Sequence, residues 1–176
     1  IIGGGMCFTF LLAQGKQVAP RSKRGLGRAR GGHAAQAEER GVKLLLPVDV
    51  VCADKFAEDA NTKTDAVDEM PADMMGLDVG PETAKLYAQA ISQAATVFWN
   101  GPMGVFEMEA FAEAEVVAEA VGRKPAGDTI IGGGDSVAAV NKFDLADRMT
   151  FISTGGGASM ELVQGEALPG VEALKR

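Results

Sequence analysis

The sequence predicts an α/β domain with an open, mainly parallel β-sheet and helices on both faces, a Rossmann-like three-layer sandwich. Short apolar runs alternate with helix-like patterns, which is typical of a parallel sheet covered on both sides. Hydrophobic residues make up 47% of the 176 residues, which excludes general disorder and is enough for one domain. Four of the apolar runs end in glycine-rich turns, at residues 3–5, 101, 132–134 and 155–157.

The first half is expected to contain strands and helices joined by turns. Residues 1–15 predict the end of a strand, a glycine turn and a helix. Two strands are expected over 42–46 and 48–53, followed by a long acidic surface excursion over 57–75. Residues 76–81 predict a turn into a helix, because proline suits the first helical position. That helix has one apolar stripe, formed by Ala84, Tyr87, Ala88, Ile91 and Ala95.

The second half is expected to continue with strands and helices in turn. The predicted elements are a strand over 96–99, an acidic helix over 109–121, a linker over 123–128, a strand over 129–131, a short helix over 135–140, a strand over 149–152 and a last helix from 157 to 165. The tail from residue 168 is expected to be extended.

The turn after Ile131 has the most specific pattern of the four. Ile130 and Ile131 are typical of a buried strand, and the glycines that follow let the backbone turn tightly and approach a ligand. Asp135 and Ser136 favour the start of a helix, whose free N–H groups attract anions. Because parallel strands end on one edge of a sheet, the turns together predict a phosphate-binding edge, with Asp135 placed to hold a metal ion. A single such turn also fits a purely structural role.

Composition argues against several classes of function. The net charge of −7 disfavours nucleic acid as the main partner, and no apolar run approaches the roughly 20 residues that cross a bilayer. Cys7 and Cys52 are interpreted as buried thiols, which fits a reducing compartment. His33 is the single histidine, so the sequence lacks the residues for a histidine-based metal site and disfavours a catalytic triad.

Residues 16–40 differ from the rest of the chain. Basic residues crowd together there with glycines and Pro20, and no acidic residue occurs before Glu38. A basic arm for nucleic acid and a disordered loop both fit this composition. No aromatic side chain lies between the charges, which disfavours binding of single-stranded nucleic acid.

Several ordered stretches point to one family. They are IIGGGM at 1–6, LLLPVDVVCADKF at 44–56, GLDVGPET at 76–83, WNGPMGVFE at 99–107, IIGGGDS at 130–136, STGGGAS at 153–159 and LPGVEAL at 168–174. In these stretches the chain resembles the C-terminal, nucleotide-binding domain of the phosphoglycerate kinases. The resemblance covers residues 1–15 and about 41–176.

The resemblance implies reversible phosphoryl transfer between 1,3-bisphosphoglycerate and ADP, giving 3-phosphoglycerate and ATP, with Mg²⁺ as cofactor. In the family, ATP or ADP lies on this domain, and the phosphoglycerate lies on a basic N-terminal domain that this sequence lacks. We therefore expect an incomplete nucleotide-binding domain that transfers no phosphate at a useful rate by itself. It is also expected to be monomeric, to be located in the cytoplasm or a plastid, and to bind neither nucleic acid nor membrane.

The resemblance also implies roles for particular residues. The adenine pocket is assigned to Gly3, Gly4, Gly76, Leu77 and Val105. The ribose hydroxyls are assigned to Glu107, and the approach to the phosphate chain to Asn100 and Pro102. The phosphate and metal loop is assigned to Gly133, Gly134, Asp135 and Ser136, with Asp135 linked to Mg²⁺. The catalytic helix start that faces the transferred phosphoryl group is assigned to Gly155, Gly156 and Gly157.

Simpler interpretations of single residues remain open without the family. Glu107 also fits an acid at the start of a helix, and Asn100 fits a turn former. Trp99 is expected to pack in the core rather than to stack on a base.

The sequence departs from the family pattern in three places. The substrate domain and a Gly-Gly-Ala-Lys stretch are missing, so a non-catalytic nucleotide-binding module is the alternative function. Residues 16–40 stand where the family has an acidic amphipathic helix. We interpret them as a reading-frame error or a mis-spliced join, or as a poorly formed helix if the protein carries them. Phe151 stands where family members often have a histidine, which leaves the glycine loop at 155–157 untouched.

Overall fold

The structure is a computed structural model that describes residues 1–16, 18, 32–111, 113–124 and 126–175. Its helices are α1 (Met6–Ala13), α2 (Gly32–Glu39), α3 (Pro81–Gln93), α4 (Glu113–Gly122), α5 (Gly134–Lys142), α6 (Gly156–Val163) and α7 (Pro169–Glu172). Its strands are β1 (Asp49–Ala53), β2 (Thr62–Ala66), β3 (Met75–Val79), β4 (Thr96–Asn100), β5 (Asp128–Gly132) and β6 (Phe151–Ser153). Within these residues, no helix combines the length and the apolar character needed to cross a membrane.

Three strands of the second half form a parallel sheet in the order β4-β5-β6. Asn100 pairs with Gly132, and Gly132 pairs with Ser153, so the three strands end level with one another. The predicted α/β class, with a parallel sheet flanked by helices, is confirmed. This register brings the turns that follow the three strands to one edge of the sheet.

The other three strands form an antiparallel sheet in the order β2-β1-β3. Every residue of β1 is buried, whereas β2 exposes every residue except Asp65. The predicted surface excursion over 57–75 therefore contains a strand, and residues 76–79 belong to β3, so the turn predicted there is wrong. A polar edge strand has no apolar face, which is why hydrophobic periodicity gave no sign of β2.

Residues 42–46 do not form a strand, although the sequence predicted one. The structure shows a backbone hydrogen bond from the Ile2 N–H to the Leu45 carbonyl, at 3.0 Å, but no ladder there. The Tyr87 hydroxyl donates to the Ile2 carbonyl at 2.8 Å. The start of the described chain is therefore fixed to α3 and to residue 45.

The main core lies between α3, α4 and the parallel sheet. Tyr87, Val117, Ile131 and Val140 are almost completely buried in it. A second cluster surrounds β1 and α1 and contains both cysteines. Cys7 and Cys52 are free thiols, as predicted, and burial raises the pKa of the Cys7 thiol to about 12.

Two elements differ from those expected. The acidic helix begins at Glu113 rather than at 109, and the tail after 168 forms α7, which has Pro169 at a favourable first position. Within the basic segment 16–40, residues Gly32–Glu39 form α2, which buries no side chain. Val18 is buried in the cluster around α1. Residues 17 and 19–31 of the segment lie outside the described residues.

Candidate functional site

The glycine turns after β5 and β6 contact each other at the carboxyl edge of the parallel sheet. Gly133 has a φ of 92°, a conformation that favours glycine. A Cβ on Gly133 would lie 2.7 Å from the Asn100 Oδ1 atom, and a Cβ on Gly156 would lie 2.7 Å from the Gly133 Cα atom. A side chain at either glycine would push the turns apart. Glycine at both positions therefore allows Asn100 and the two turns to meet.

The turn after β4 is fixed to the same edge. The Gly101 N–H donates to the Ser136 hydroxyl at 2.7 Å. Ser136 is fully buried, and its hydroxyl serves the protein's own backbone. The Trp99 Nε1–H donates to the Gly101 carbonyl at 2.7 Å, and this side chain packs in the core, as expected.

The first glycine turn packs against the segment that follows β4. Gly4 has a φ of 57°, and its N–H donates to the Met103 carbonyl at 2.8 Å. A Cβ on Gly4 would lie 2.8 Å from the Pro102 carbonyl oxygen, and a Cβ on Gly3 would overlap the Met103 sulfur. All four glycine turns therefore lie against residues 100–103 or against one another.

A cavity of about 250 Å³ lies between the first glycine turn, β3 and residues 102–105. Its lining includes five residues predicted to bind nucleotide, namely Gly4, Gly76, Leu77, Pro102 and Val105. The walls are mostly apolar, as is usual in pockets for small organic ligands. The structure thus brings these five residues together around a space suited to a flat heterocycle.

Sequence reasoning missed other residues of the cavity wall, among them Phe8, Val50, Asp78 and Met103. A Cβ on Gly76 would overlap the Phe8 ring, so the ring occupies the room that glycine leaves. Contacts between residues so far apart in the chain give no local signal. Met103 lies inside the WNGPMGVFE stretch, and this motif is the sequence feature that could have identified it as a site residue.

Asp78 is a buried acid in the cavity wall. Its Oδ1 atom accepts from the Val79 N–H at 2.8 Å, and its Oδ2 atom accepts from the Ala114 N–H at 3.0 Å, in the first turn of α4. Burial raises the pKa of this carboxyl to about 7, although the two hydrogen bonds act in the opposite direction. A Cβ on Gly104 would overlap the carboxyl group, so the loop over the cavity packs directly on Asp78.

Helices α5 and α6 both begin at the edge where the glycine turns meet, with Gly133 and Gly155 as their N-caps. The first N–H groups of a helix lack partners within the helix and favour anions. Glycines 134 and 157 have open space beside them, because a Cβ on either would meet no atom within 4 Å. This edge can therefore accept phosphate groups.

Asp135 is exposed in the first turn of α5. In the described part of the chain, no basic side chain forms an ion pair with it. No group of three or more His, Cys, Asp or Glu side chains among the described residues could hold a metal ion. Mg²⁺ commonly uses one or two carboxylates together with substrate phosphates and water. Asp135 fits that kind of site, since ligand oxygens would complete the coordination.

Glu107 lies just beyond the cavity rather than in its wall. Its side chain is exposed, two residues after Val105, which does line the cavity. The Lys142 Nζ atom donates to the Phe106 carbonyl at 2.8 Å and to the Glu107 carbonyl at 2.9 Å. The assignment of Glu107 to the ribose hydroxyls stays a prediction.

Known proteins match nearly the whole chain. The phosphoglycerate kinase family model matches residues 1–166. The phosphoglycerate kinases of Synechococcus elongatus and Herpetosiphon aurantiacus are 54% and 53% identical, each over 99% of this chain and 44% of the relative. The structure of phosphoglycerate kinase from Coxiella burnetii superposes with a TM-score of 0.84 and 42% identity, over 97% of this chain and 44% of that one. The enzyme from Pyrococcus horikoshii gives a TM-score of 0.81 and 30% identity, over 98% and 44%.

The coverage is uneven between the chain and its relatives. Almost all of this chain is matched, whereas the chain spans about 44% of the length of each of these relatives.

Proposed function

The chain belongs to the phosphoglycerate kinase family, and from that premise we propose that it forms the nucleotide-binding part of such a kinase. The reaction would transfer a phosphoryl group reversibly between 1,3-bisphosphoglycerate and ADP. One observation carries the proposal: four glycine turns and the cavity of about 250 Å³ all meet around residues 100–105. A nucleotide needs such an apolar pocket for its base beside a backbone-lined edge for its phosphates.

The adenine base would occupy the cavity. Gly4 and Gly76 allow the backbone to come close to a flat ring, and Leu77 and Val105 supply apolar contact. The phosphate chain would run toward the turns at Gly133 and 155–157, past Asn100. Support for this course comes from the close approach of Asn100 Oδ1 to both turns.

The phosphates would be held by backbone N–H groups and a metal ion rather than by basic side chains. When bound, Mg²⁺ would neutralise charge on the phosphate oxygens. In this chain, the exposed Asp135 carboxylate would hold that ion, and the helix starts at Gly134 and Gly156 would orient the phosphoryl group. The fold would hold the N–H groups of the helix starts in place before the nucleotide binds, so positioning and charge stabilisation would supply the catalytic effect.

The phosphoglycerate would bind outside this chain. The chain spans less than half of the length of its relatives, and the family resemblance assigns the phosphoglycerate to a different, basic domain. We expect binding of Mg·ADP without useful phosphoryl transfer by the chain alone, as a monomer in the cytoplasm or a plastid. Turnover close to that of a full-length family member would contradict this.

The test is titration calorimetry with Mg·ADP and with ADP in the presence of a chelator. We expect Asp135→Ala to weaken Mg·ADP binding about tenfold, equivalent to about 1.4 kcal/mol, and to leave metal-free ADP binding within about twofold. The matched control is Asp147→Ala, which changes an exposed aspartate in the 3₁₀ turn Ala146–Arg148 before β6. Equal affinity of Asp135→Ala and the parent chain for Mg·ADP would contradict the metal assignment. The absence of any nucleotide binding by the parent chain would contradict the proposed function as a whole.

A further inference from the structure

Helix α5 contacts the segment 101–107 at both ends of that segment. In its first turn, the buried Ser136 hydroxyl accepts the hydrogen bond from Gly101 at 2.7 Å. In its last turn, Lys142 donates to the carbonyls of Phe106 and Glu107 at 2.8 and 2.9 Å. The cavity loop, residues 102–105, lies between these two attachments.

The attachment at the far end of α5 has a second component. The Phe106 ring is buried and meets the Phe143 ring edge to face, with centroids 6.5 Å apart and planes at 70°. Phe143 directly follows Lys142. One end of α5 therefore holds residue 106 through both its side chain and its carbonyl, and holds residue 107 through its carbonyl alone.

A lysine in the last turn of a helix is common because its charge interacts well with the helix dipole. That interaction needs no contact with another segment. Here the ammonium group also makes two charge-assisted hydrogen bonds to a different part of the chain, and such bonds are stronger than neutral ones. Lys142 thus links the last turn of α5 directly to the backbone at Glu107.

Helix α5 separates the proposed metal carboxylate from the residue that holds the Glu107 backbone. It has nine residues, which corresponds to about 13 Å at 1.5 Å per residue. Its first turn carries Asp135, the proposed metal carboxylate, and its last residue holds the backbone of Glu107, the predicted ribose carboxylate. A rigid helix between them would fix the distance from the metal to the ribose.

We propose that Lys142 is a positioning residue that sets the Glu107 carboxylate to accept hydrogen bonds from the ribose hydroxyls of the nucleotide. The proposal rests on the proposed function, because it assumes that the ribose lies at Glu107. Lys142 itself touches no nucleotide. Without its two hydrogen bonds, the carboxylate would sample several positions and lose its selectivity for a hydroxylated sugar.

The experiment compares binding of Mg·ADP and of Mg·2′,3′-dideoxy-ADP by titration calorimetry. The dideoxy nucleotide lacks both ribose hydroxyls, so the ratio of the two dissociation constants measures ribose recognition alone. The parent chain is expected to prefer ADP about tenfold, since a hydrogen bond to a charged group contributes on this scale. In Lys142→Gln the ratio should fall to about two, with the dideoxy affinity unchanged within about twofold.

Four further variants sharpen the comparison. Lys142→Arg can still donate to carbonyl oxygens and should keep most of the preference. Lys85→Gln, which changes an exposed lysine on α3 paired with Glu82, should keep all of it. Glu107→Gln should lower the ratio to about two, and the double variant with Lys142→Gln should be no lower, because both changes act on one interaction.

The outcomes separate the role of Lys142 from the assignment of the ribose to Glu107. If Glu107→Gln lowers the ratio and Lys142→Gln does not, Glu107 recognises ribose and the role of Lys142 is wrong. Equal weakening of both nucleotides by Lys142→Gln would likewise overturn it, because that result indicates a general structural effect. If neither Glu107→Gln nor Lys142→Gln changes the ratio while Mg·ADP still binds, the ribose assignment fails but the nucleotide site stands.

A second measurement needs no ligand. The N–H groups of Phe106 and Met108 donate to carbonyls within the same loop, at 3.0 and 3.3 Å. Hydrogen exchange at 106–108 should become at least about threefold faster in Lys142→Gln than in Lys85→Gln if Lys142 fixes this backbone. Unchanged exchange there would overturn the proposal even if a variant proved too unstable for calorimetry.

Discussion

The Gly101 N–H and the Ser136 hydroxyl are joined by a 2.7 Å hydrogen bond, although the two residues follow different strands. Gly101 follows β4, and Ser136 lies in the first turn of the helix that follows β5. Because Ser136 is fully buried, water has little access to its hydroxyl, and the bond locks the turn after β4 to the start of α5. The proposed base pocket and the proposed phosphate edge are therefore parts of one connected unit.

Replacing Ser136 with alanine should weaken that connection. The change leaves the Gly101 N–H without its acceptor, which should lower the free energy of unfolding by about 1–3 kcal/mol. Urea unfolding followed by circular dichroism measures the loss. Ser92→Ala is the control, since it removes an exposed hydroxyl that bonds its own helix, and it should change stability by less than about 0.5 kcal/mol. Equal stability of the two variants would show that the buried bond contributes nothing.

Gly133→Ala should damage both folding and binding. Alanine at a φ of 92° is strained, and its Cβ would also lie 2.7 Å from the Asn100 Oδ1 atom. Gly165→Ala is a matched control, because its φ of 79° carries similar strain while its surroundings are open. We expect Gly165→Ala to lower stability by about 1 kcal/mol, and Gly133→Ala to lower it further and to abolish detectable Mg·ADP binding. Full Mg·ADP affinity in Gly133→Ala would mean that the close approach of the turns does not matter for the ligand.

Asp49 at the start of β1 caps α3, and its loss should be costly. Its carboxylate accepts from the Thr83 N–H at 2.7 Å and from the Glu82 N–H at 3.0 Å. The Thr83 hydroxyl, which is fully buried, also donates to it at 2.6 Å. Asp49→Ala removes all three, and we expect a loss of about 2–4 kcal/mol in unfolding free energy. Asp128→Ala, at an exposed position in β5, should change it by less than about 0.5 kcal/mol, and a similar effect of both would refute the capping role.

Asp78 predicts a pH dependence of stability. Its folded-state pKa is raised to about 7, whereas an aspartate in the unfolded chain titrates near 4. Between these values the folded state holds a proton that the unfolded state has released. The ionisation of Asp78 should therefore cost no stability below about pH 4. As the pH rises toward 7, this group should lower the free energy of unfolding by at most about 1.4 kcal/mol per pH unit.

Urea midpoints of the parent chain and Asp78→Asn between pH 5 and 8 measure this effect. The asparagine cannot ionise, so the difference in slope between pH 5 and 7 isolates Asp78 from Glu113 and other acids nearby. We expect the parent chain to lose stability more steeply than Asp78→Asn over this range, and the two curves to run parallel above pH 7. Parallel curves over the whole range would show that Asp78 ionises as in the unfolded chain.

The sequence predicted the parallel half of the fold better than the antiparallel half. Strands such as 128–132 combine β-branched residues with a glycine turn, and both signals are local. Strand β2 has the sequence Thr-Lys-Thr-Asp-Ala and lies at a sheet edge, so neither apolar periodicity nor turn residues marked it. Its partner β1 was predicted from its apolar run, but the direction of pairing depends on contacts distant in sequence.

The candidate site shows the same division. Glycine turns and Asp135 were predicted because each stands in a motif that can be recognised within a few residues. Phe8 and Val50 line the cavity only because they pack against Gly76 and β3. The burial of Asp78 and the two bonds made by Lys142 also depend on tertiary contacts, for which one sequence carries no local signal.

Hydrogen exchange of the chain with and without saturating Mg·ADP is the most direct test of a single nucleotide site formed by the glycine turns. We predict slower exchange in four places at once, at residues 4–5, 76–79, 102–105 and 133–136, and unchanged exchange in the antiparallel edge at 62–66. Protection confined to one of the four places, or none at saturating Mg·ADP, would contradict the claim that these four segments form one site.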